Sequence, residues 1–273
     1  MSLNSRLHIK AGFKNNKTFL KESYYTHPYK IANVTEDKAS DLLRLMMMSS
    51  SPGILDNDEY AVQIDVEVNA KLWLTTQGYQ RIFTMKEGAF QTIDVSINEN
   101  ASLVYLPHPN VPHEGADFSS DNTIRLGANH HLLWSEITTC GRKLSGEEFK
   151  FTRYKNNTKI FIEGKLVVKE NVLIEPFKRN IHSIGQLENY SHQSSILFLN
   201  NKADTRIIAE ECHLILSSIE GIAFGISSIA ANGIVIRILG YKGEQLFMIH
   251  NNLAAIICRL SNEKSAVKTF IDN

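Results

Sequence analysis

Between Tyr60 and Val68 apolar and polar residues alternate without a break. Tyr60, Val62, Ile64, Val66 and Val68 fall on one face, and Ala61, Gln63, Asp65 and Glu67 on the other. A period of two marks an extended chain with one face buried. Asn69-Ala70 interrupts the pattern, and Leu72-Trp73-Leu74-Thr75-Thr76 resumes it as a second strand. Ahead of this pair lie a Pro52-Gly53 turn and the acidic run Asp56-Asn57-Asp58-Glu59. An acidic turn is therefore held at the mouth of a rigid strand pair, where a sheet protein can present ligating or proton-handling groups.

The same signals continue along most of the chain. The polar turn Lys14-Asn15-Asn16-Lys17 sits between two alternating runs and predicts a hairpin. Further strands are expected at residues 91–97, 101–106, 123–126, 132–139, 148–154, 159–163 and 166–174, with a hairpin turn at Glu163-Gly164-Lys165. Residues 41–49 are ambiguous: Leu, Met and Arg favour a helix, whereas their short run and the Ser/Pro stop after it do not. Short strands at about ten-residue spacing suggest layered or stacked antiparallel sheets, and no fixed-period repeat marks a solenoid.

The character changes after residue 200. Residues 203–218 read as a helix through Ile207, Ile208, Leu214, Ile215 and Ile219, and Gly243–Leu260 as a second through Leu246, Ile249, Leu253, Ile256, Ile257 and Leu260. Between them two strands turn at Asn232-Gly233, a strong hairpin signal. The expected class is mainly β. A β-rich body (1–200) carries a C-terminal α+β portion (201–273) with two helices, packed on the body as one unit.

Composition removes several function classes. Lys plus Arg and Asp plus Glu number 29 each, without the basic excess of a nucleic-acid protein. The most apolar late stretch, 219–238, is interrupted by Gly221, Gly225, Asn232 and Gly233, so no membrane span is expected. Three scattered cysteines and a polar N-terminus predict a cytoplasmic protein without a disulfide scaffold. P-loop, GxGxxG, nucleophile-elbow and zinc-hydrolase signatures are missing from the sequence.

The residues that could carry chemistry are few. Asp58 and its acidic neighbours read on composition as a solvated turn, or as oxygen ligands. Glu170 stands between the apolar runs Leu166-Val167-Val168 and Val172-Leu173-Ile174, so it is an edge charge beside Lys169 or a carboxylate in a polar interior. His108 and His113 share a proline-stiffened loop and are the leading imidazole candidates; the adjacent His130 and His131 face opposite sides of a strand. Tyr25 and Tyr29, in an exposed-looking aromatic segment, and Glu210 and Glu211, on the first helix, are candidate partner contacts.

Four segments in order resemble the urease accessory protein UreD (UreH) family. The first is the Pro-Gly turn followed by the acidic run and the long alternating strand. The others are Ala101-Ser102-Leu103-Val104-Tyr105-Leu106-Pro107-His108-Pro109, Gly141-Arg142-Lys143-Leu144-Ser145-Gly146-Glu147-Glu148-Phe149 and Gly164-Lys165-Leu166-Val167-Val168-Lys169-Glu170. The resemblance implies a strand at 41–49. It also implies a non-catalytic scaffold that binds urease apoprotein and the accessory protein UreF, and through UreF the GTPase UreG. The same resemblance implies no tightly bound cofactor and nickel in transit only. Asp58 and Glu170 match the positions of carboxylates lining the family's internal nickel tunnel. Neither occupies a patterned core position, so alanine at either is expected to cost little stability. Two other readings stay open. One is a carbohydrate-active enzyme with Asp58 and Glu170 as its acid/base pair, and the other is a β-rich interaction module without a metal role.

Overall fold

The computed structural model describes residues 4–37 and 39–261. The chain opens with a hairpin of β1 (Asn4–Lys14) and β2 (Lys17–Tyr25), turned by Asn15 and Asn16 at positive φ. It crosses to a second sheet for β3 (Tyr29–Asn33) and β4 (Leu42–Ser49), returns for β5 (Glu59–Val66), and crosses again for β6 (Lys71–Thr76). After the short β7 (Gln80–Ile82) the shuttle continues through β8 (Ala89–Ile97) and β9 (Ser102–Leu106). It then runs through the short β10 (Asn110–Pro112), β11 (Asp117–Leu126), β12 (His131–Thr138) and β13 (Arg153–Ile162). β14 (Lys165–Ile174) folds back on β13. β15 (His192–Asn200), α1 (Thr205–Ser217), β16 (Ala223–Ile229), β17 (Gly233–Gly240) and α2 (Gly243–Leu260) complete the described chain.

The first sheet has the order β14-β13-β11-β8-β5-β1-β2, and the second β16-β17-β15-β12-β9-β6-β4-β3. The mainly β class with two C-terminal helices is as expected. The pairing is mixed: β1, β5, β8, β11 and β13 run parallel, as do β4, β6, β9 and β12, and antiparallel pairs lie towards the edges. The expectation of antiparallel sheets therefore holds only for the outer strands. Its physical cause is the shuttle: a chain that leaves a sheet, makes a strand in the other and comes back must run in its original direction. For the same reason β5 and β6, expected to pair, lie in opposite sheets.

Asparagines turn the corners. Asn69, Asn100 and Asn129 adopt φ of 63°, 55° and 53° at the passages into β6, β9 and β12. Asparagine tolerates this left-handed region better than most residues. The corners stack, since Asn69 N–H donates to the Glu99 carbonyl (3.1 Å) and Asn100 N–H to the Ala128 carbonyl (3.0 Å). Asn69-Ala70-Lys71-Leu72, Asn100-Ala101-Ser102-Leu103 and Asn129-His130-His131-Leu132 form a short repeat that escapes a period search. The coils between corners differ in length: strands of the first sheet begin at Asn4, Glu59, Ala89, Asp117 and Arg153.

Residues 148–154, expected as a strand, instead form an irregular loop up to Arg153. Phe149, at φ 52°, and Phe151 are buried there. Between the sheets lies an apolar core that includes Ile64, Val95, Ile124, Leu72, Leu103 and Leu132. The helices cover the outer face of the second sheet, α1 through Ile208, Cys212 and Leu216 and α2 through Leu246, Ile249, Leu253 and Ile257. The stripe predicted for α1 is thus displaced, with Ile207 and Leu214 turned to solvent. All three cysteines are buried, and none forms a disulfide among the described residues. The end of the predicted C-terminal portion, 262–273, lies outside the described residues.

Candidate functional site

The alternation that lines the space between the sheets with aliphatic side chains changes character in the last coil. On β11 the inward positions are Ser120 and Asn122, and on β13 Asn156 and Thr158, all four buried. Opposite them on β12, Glu136 follows Leu132 and Trp134 on the inward face. Register aligns these groups. Asn122, Thr158 and Glu170 form one cross-strand row in the first sheet. Glu136, Ser195 and Arg237 form another in the second.

The two rows join. Glu136 Oε1 accepts hydrogen bonds from Asn122 Nδ2 (3.0 Å), Thr158 Oγ1 (3.0 Å) and Trp134 Nε1 (2.8 Å), and Oε2 accepts one from Asn156 Nδ2 (2.5 Å). At the edge, Arg237 Nε and Nη2 both reach Glu170 Oε1, at 3.3 and 3.2 Å. Burial pushes the Glu136 carboxyl above its ordinary range; donors from Trp134 and Asn156 oppose this, and the nearby charge of Glu170 adds to it. The result is a buried, largely satisfied polar layer in a sandwich that is apolar elsewhere.

Towards the acidic turn, a cavity of about 220 Å³ opens between the sheets, with Tyr29, Tyr60, Gln91 and Tyr105 among its walls. Tyr105 stacks on Trp134 with ring centroids 4.2 Å apart, and the Trp134 indole N–H bonds Glu136. A run of aromatic and polar groups therefore connects the cavity to the layer. Burial, with the neighbouring carboxylates adding to it, raises the Tyr60 and Tyr105 hydroxyl pKa values far above normal, so both remain proton donors.

Asp58 stands behind the cavity wall and is fully buried. Its Oδ2 accepts from Leu55 N–H (2.8 Å) and from the Tyr60 hydroxyl (3.0 Å). The reading of this residue as part of a solvated turn is corrected, and so is the expectation that alanine there costs little. Its neighbour Asp56 fastens a different turn, accepting from the Glu87 and Gly88 amides at 2.9 and 3.0 Å. Glu170 combines its two predicted settings: β14 is an edge strand, yet the side chain faces inward and is 10% exposed.

Glu170 shares its row with Val62, four strands away, and Asp58 lies four residues before Val62. Four interstrand steps place the two carboxylates roughly 19 Å apart across the sheet alone. A glycosidase pair requires roughly 5–10 Å, so this geometry removes Asp58 and Glu170 as an acid/base couple.

His108 and His113 have separate surroundings. His108 stacks on Phe247 of α2 (centroids 4.0 Å) and its Nδ1 meets Thr76 Oγ1 at 3.0 Å. His113 is buried against Phe83 (4.8 Å). Burial lowers both imidazole pKa values, and nearby Arg142 adds to the effect at His113. Among the described residues no group of three or more His, Cys, Asp or Glu could hold a metal ion.

On the surface, Tyr25 is exposed, while Tyr29 turns inward against Tyr60, with centroids 5.7 Å apart. Glu210 is exposed and Glu211 half-buried on α1. They share a helical stripe with exposed Ile207 and Leu214, the latter 66% accessible. The sequence signal overlooked here was Glu136, a carboxylate in phase with Leu132 and Trp134. Asn122, Asn156 and Thr158 occupy inward positions in the same way, but their partners belong to strands distant in sequence.

No helix among the described residues is long and apolar enough to cross a membrane. The family model described as UreD urease accessory protein matches residues 4–273. A relative named urease accessory protein UreD from Flavobacterium johnsoniae is 44% identical, with 89% of this chain and 88% of that protein covered. Relatives of the same name from Acetivibrio thermocellus and Haemophilus influenzae are 34% and 31% identical, over 89% and 93% of this chain. With its motifs in order and this match over nearly its whole length, the chain belongs to the UreD family of urease accessory proteins.

Proposed function

We propose that this chain is a cytoplasmic, non-catalytic scaffold of urease maturation that binds the urease apoprotein and UreF, and UreG through UreF. In this reading it gives nickel a path towards the urease active site. The observation that carries the proposal is the buried polar layer around Glu136, joined through Trp134 and Tyr105 to the cavity beside Asp58. A dication cannot move through an apolar interior without compensating charge. Carboxylates spaced along the way, with amides and hydroxyls between them, supply hard oxygen ligands too few at each stop to trap the ion. Nickel is cargo here, and no tightly bound cofactor is needed. The helices offer the partner surface, with Ile207 and Leu214 flanking Glu210 and Glu211.

The test is co-expression of the urease subunits and accessory proteins with Glu136→Gln, Glu170→Gln or both. Complexes should assemble normally while urease nickel content and activity fall. Full nickel content in the double variant would favour the alternative of an interaction module without a metal role.

A further inference from the structure

The Arg237–Glu170 pair is unusual in its geometry. Guanidinium and carboxylate normally pair fork to fork, one nitrogen to each oxygen. Here both Arg237 nitrogens converge on Oε1, and Glu170 Oε2 is buried with no hydrogen-bond partner among the described residues. A buried carboxylate oxygen without a donor is costly unless something else occupies it. The two residues are also unequal, with Glu170 10% exposed and the Arg237 side chain 61% exposed. Arginine thus approaches from solvent, at the seam where edge strand β14 meets β17. The acid's unpartnered oxygen is buried, and Glu170 lies opposite Thr158, whose hydroxyl donates to Glu136 Oε1 at 3.0 Å.

We propose that Arg237 is the release element of this cation path. Its guanidinium competes with the arriving dication for Glu170, so the Glu136–Glu170 stop stays weak and the ion moves on. The inference rests on the nickel-path reading above. The chemistry is an exchange of counter-ions: a dication reaching the two carboxylates displaces the arginine to solvent, and its departure lets the arginine return. Arginine suits this role because its planar guanidinium matches a carboxylate and is more weakly hydrated than an ammonium, so it competes for Glu170 directly. Its exposed position lets it swing out without disturbing the core.

Equilibrium dialysis of the full chain against Ni²⁺ tests the idea. Arg237→Gln should bind nickel about tenfold more tightly than wild type, and Arg237→Gln combined with Glu170→Gln should lose that gain. In co-expression, Arg237→Gln should retain nickel on the scaffold and slow its transfer to urease. A measurement on the wild-type chain, independent of variant folding, follows the Arg237 Nε–H resonance during titration with diamagnetic Zn²⁺. The resonance should shift towards that of a free, solvent-exchanging guanidinium. Unchanged affinity in Arg237→Gln, or an Arg237 signal indifferent to Zn²⁺, overturns the release role and leaves the pair as a latch between sheets. If Glu136→Gln still lowers urease nickel in that case, the path reading survives. If Glu136→Gln and Glu170→Gln also change nothing, the path itself is wrong.

Discussion

The Tyr60 hydroxyl donates to the Asp58 carboxylate at 3.0 Å, in a place where both residues are buried. The same carboxylate oxygen accepts the Leu55 amide, so Asp58 fastens the acidic turn to the strand that follows. Any cation-path role for Asp58 is therefore combined with a structural one. Asp58→Ala takes this acceptor from the buried Tyr60 hydroxyl and from the Leu55 amide and should cost about 1–3 kcal/mol. Urea denaturation of the purified variant measures this. A midpoint equal to wild type would show that the turn does not depend on the carboxylate.

Glu136 separates charge from shape. Glu136→Gln keeps an acceptor for Trp134 and should cost about 1 kcal/mol, whereas Glu136→Leu strands the Trp134, Asn156 and Thr158 donors and should cost about 3 kcal/mol or more. Because the folded-state pKa is raised, the folded protein binds this proton more tightly than the unfolded chain, and Glu136 lowers stability as pH rises through that interval. Denaturant curves from acidic to neutral pH should therefore fall less steeply with rising pH in Glu136→Gln.

His250 is fully buried on α2, and neither ring nitrogen has a hydrogen-bond partner among the described residues. Burial pushes its pKa down to about 3. Below about pH 6.5 the unfolded chain takes up a proton that the folded one refuses, so stability falls as pH drops from about 6.5 towards 3. His250→Leu should remove this slope and be neutral or stabilising at pH 7, because two orphaned polar atoms disappear. Melting temperatures of the two proteins at pH 7 and pH 5 provide the comparison. An identical drop in both would acquit His250.

Gly53 has a steric reason to be glycine. A Cβ there would lie 2.4 Å from the Arg81 carbonyl oxygen, in the stretch where the Ile54 amide bonds that same carbonyl at 2.8 Å. Backbone must move to admit a methyl group, so Gly53→Ala should destabilise by about 2 kcal/mol or more and distort the cavity mouth. Thermal unfolding decides this; a wild-type transition would mean that the turn relaxes freely.

Charge reversal at Glu210 and Glu211 should weaken co-elution with UreF while circular dichroism stays unchanged, since neither side chain supports the fold beneath α1. Tyr25→Ala is the control from the opposite end of the molecule. Complexes weakened only by the tyrosine change would relocate the partner surface to the β2 edge.

The elements themselves were written in local sequence. Alternation marked most of the long strands, though it left 41–49 ambiguous, missed His192–Asn200 and placed a strand at 148–154 where a loop lies. Asn-Gly and Glu-Gly marked hairpin turns, and periodic Leu and Ile residues located both helices, because each signal acts over a few residues. Even the corner asparagines 69, 100 and 129 were visible, although their meaning was not. The parallel coil depended on tertiary structure, because period-two patterning states which face is buried and is silent on which strand lies alongside. The polar layer depended on it still more. Glu136 and Thr158 are 22 residues apart, and Glu170 and Arg237 are 67 apart. An isolated buried carboxylate is unfavourable until those distant donors arrive, so only the assembled sandwich could turn Asn122, Glu136, Asn156 and Thr158 from scattered polar residues into one site.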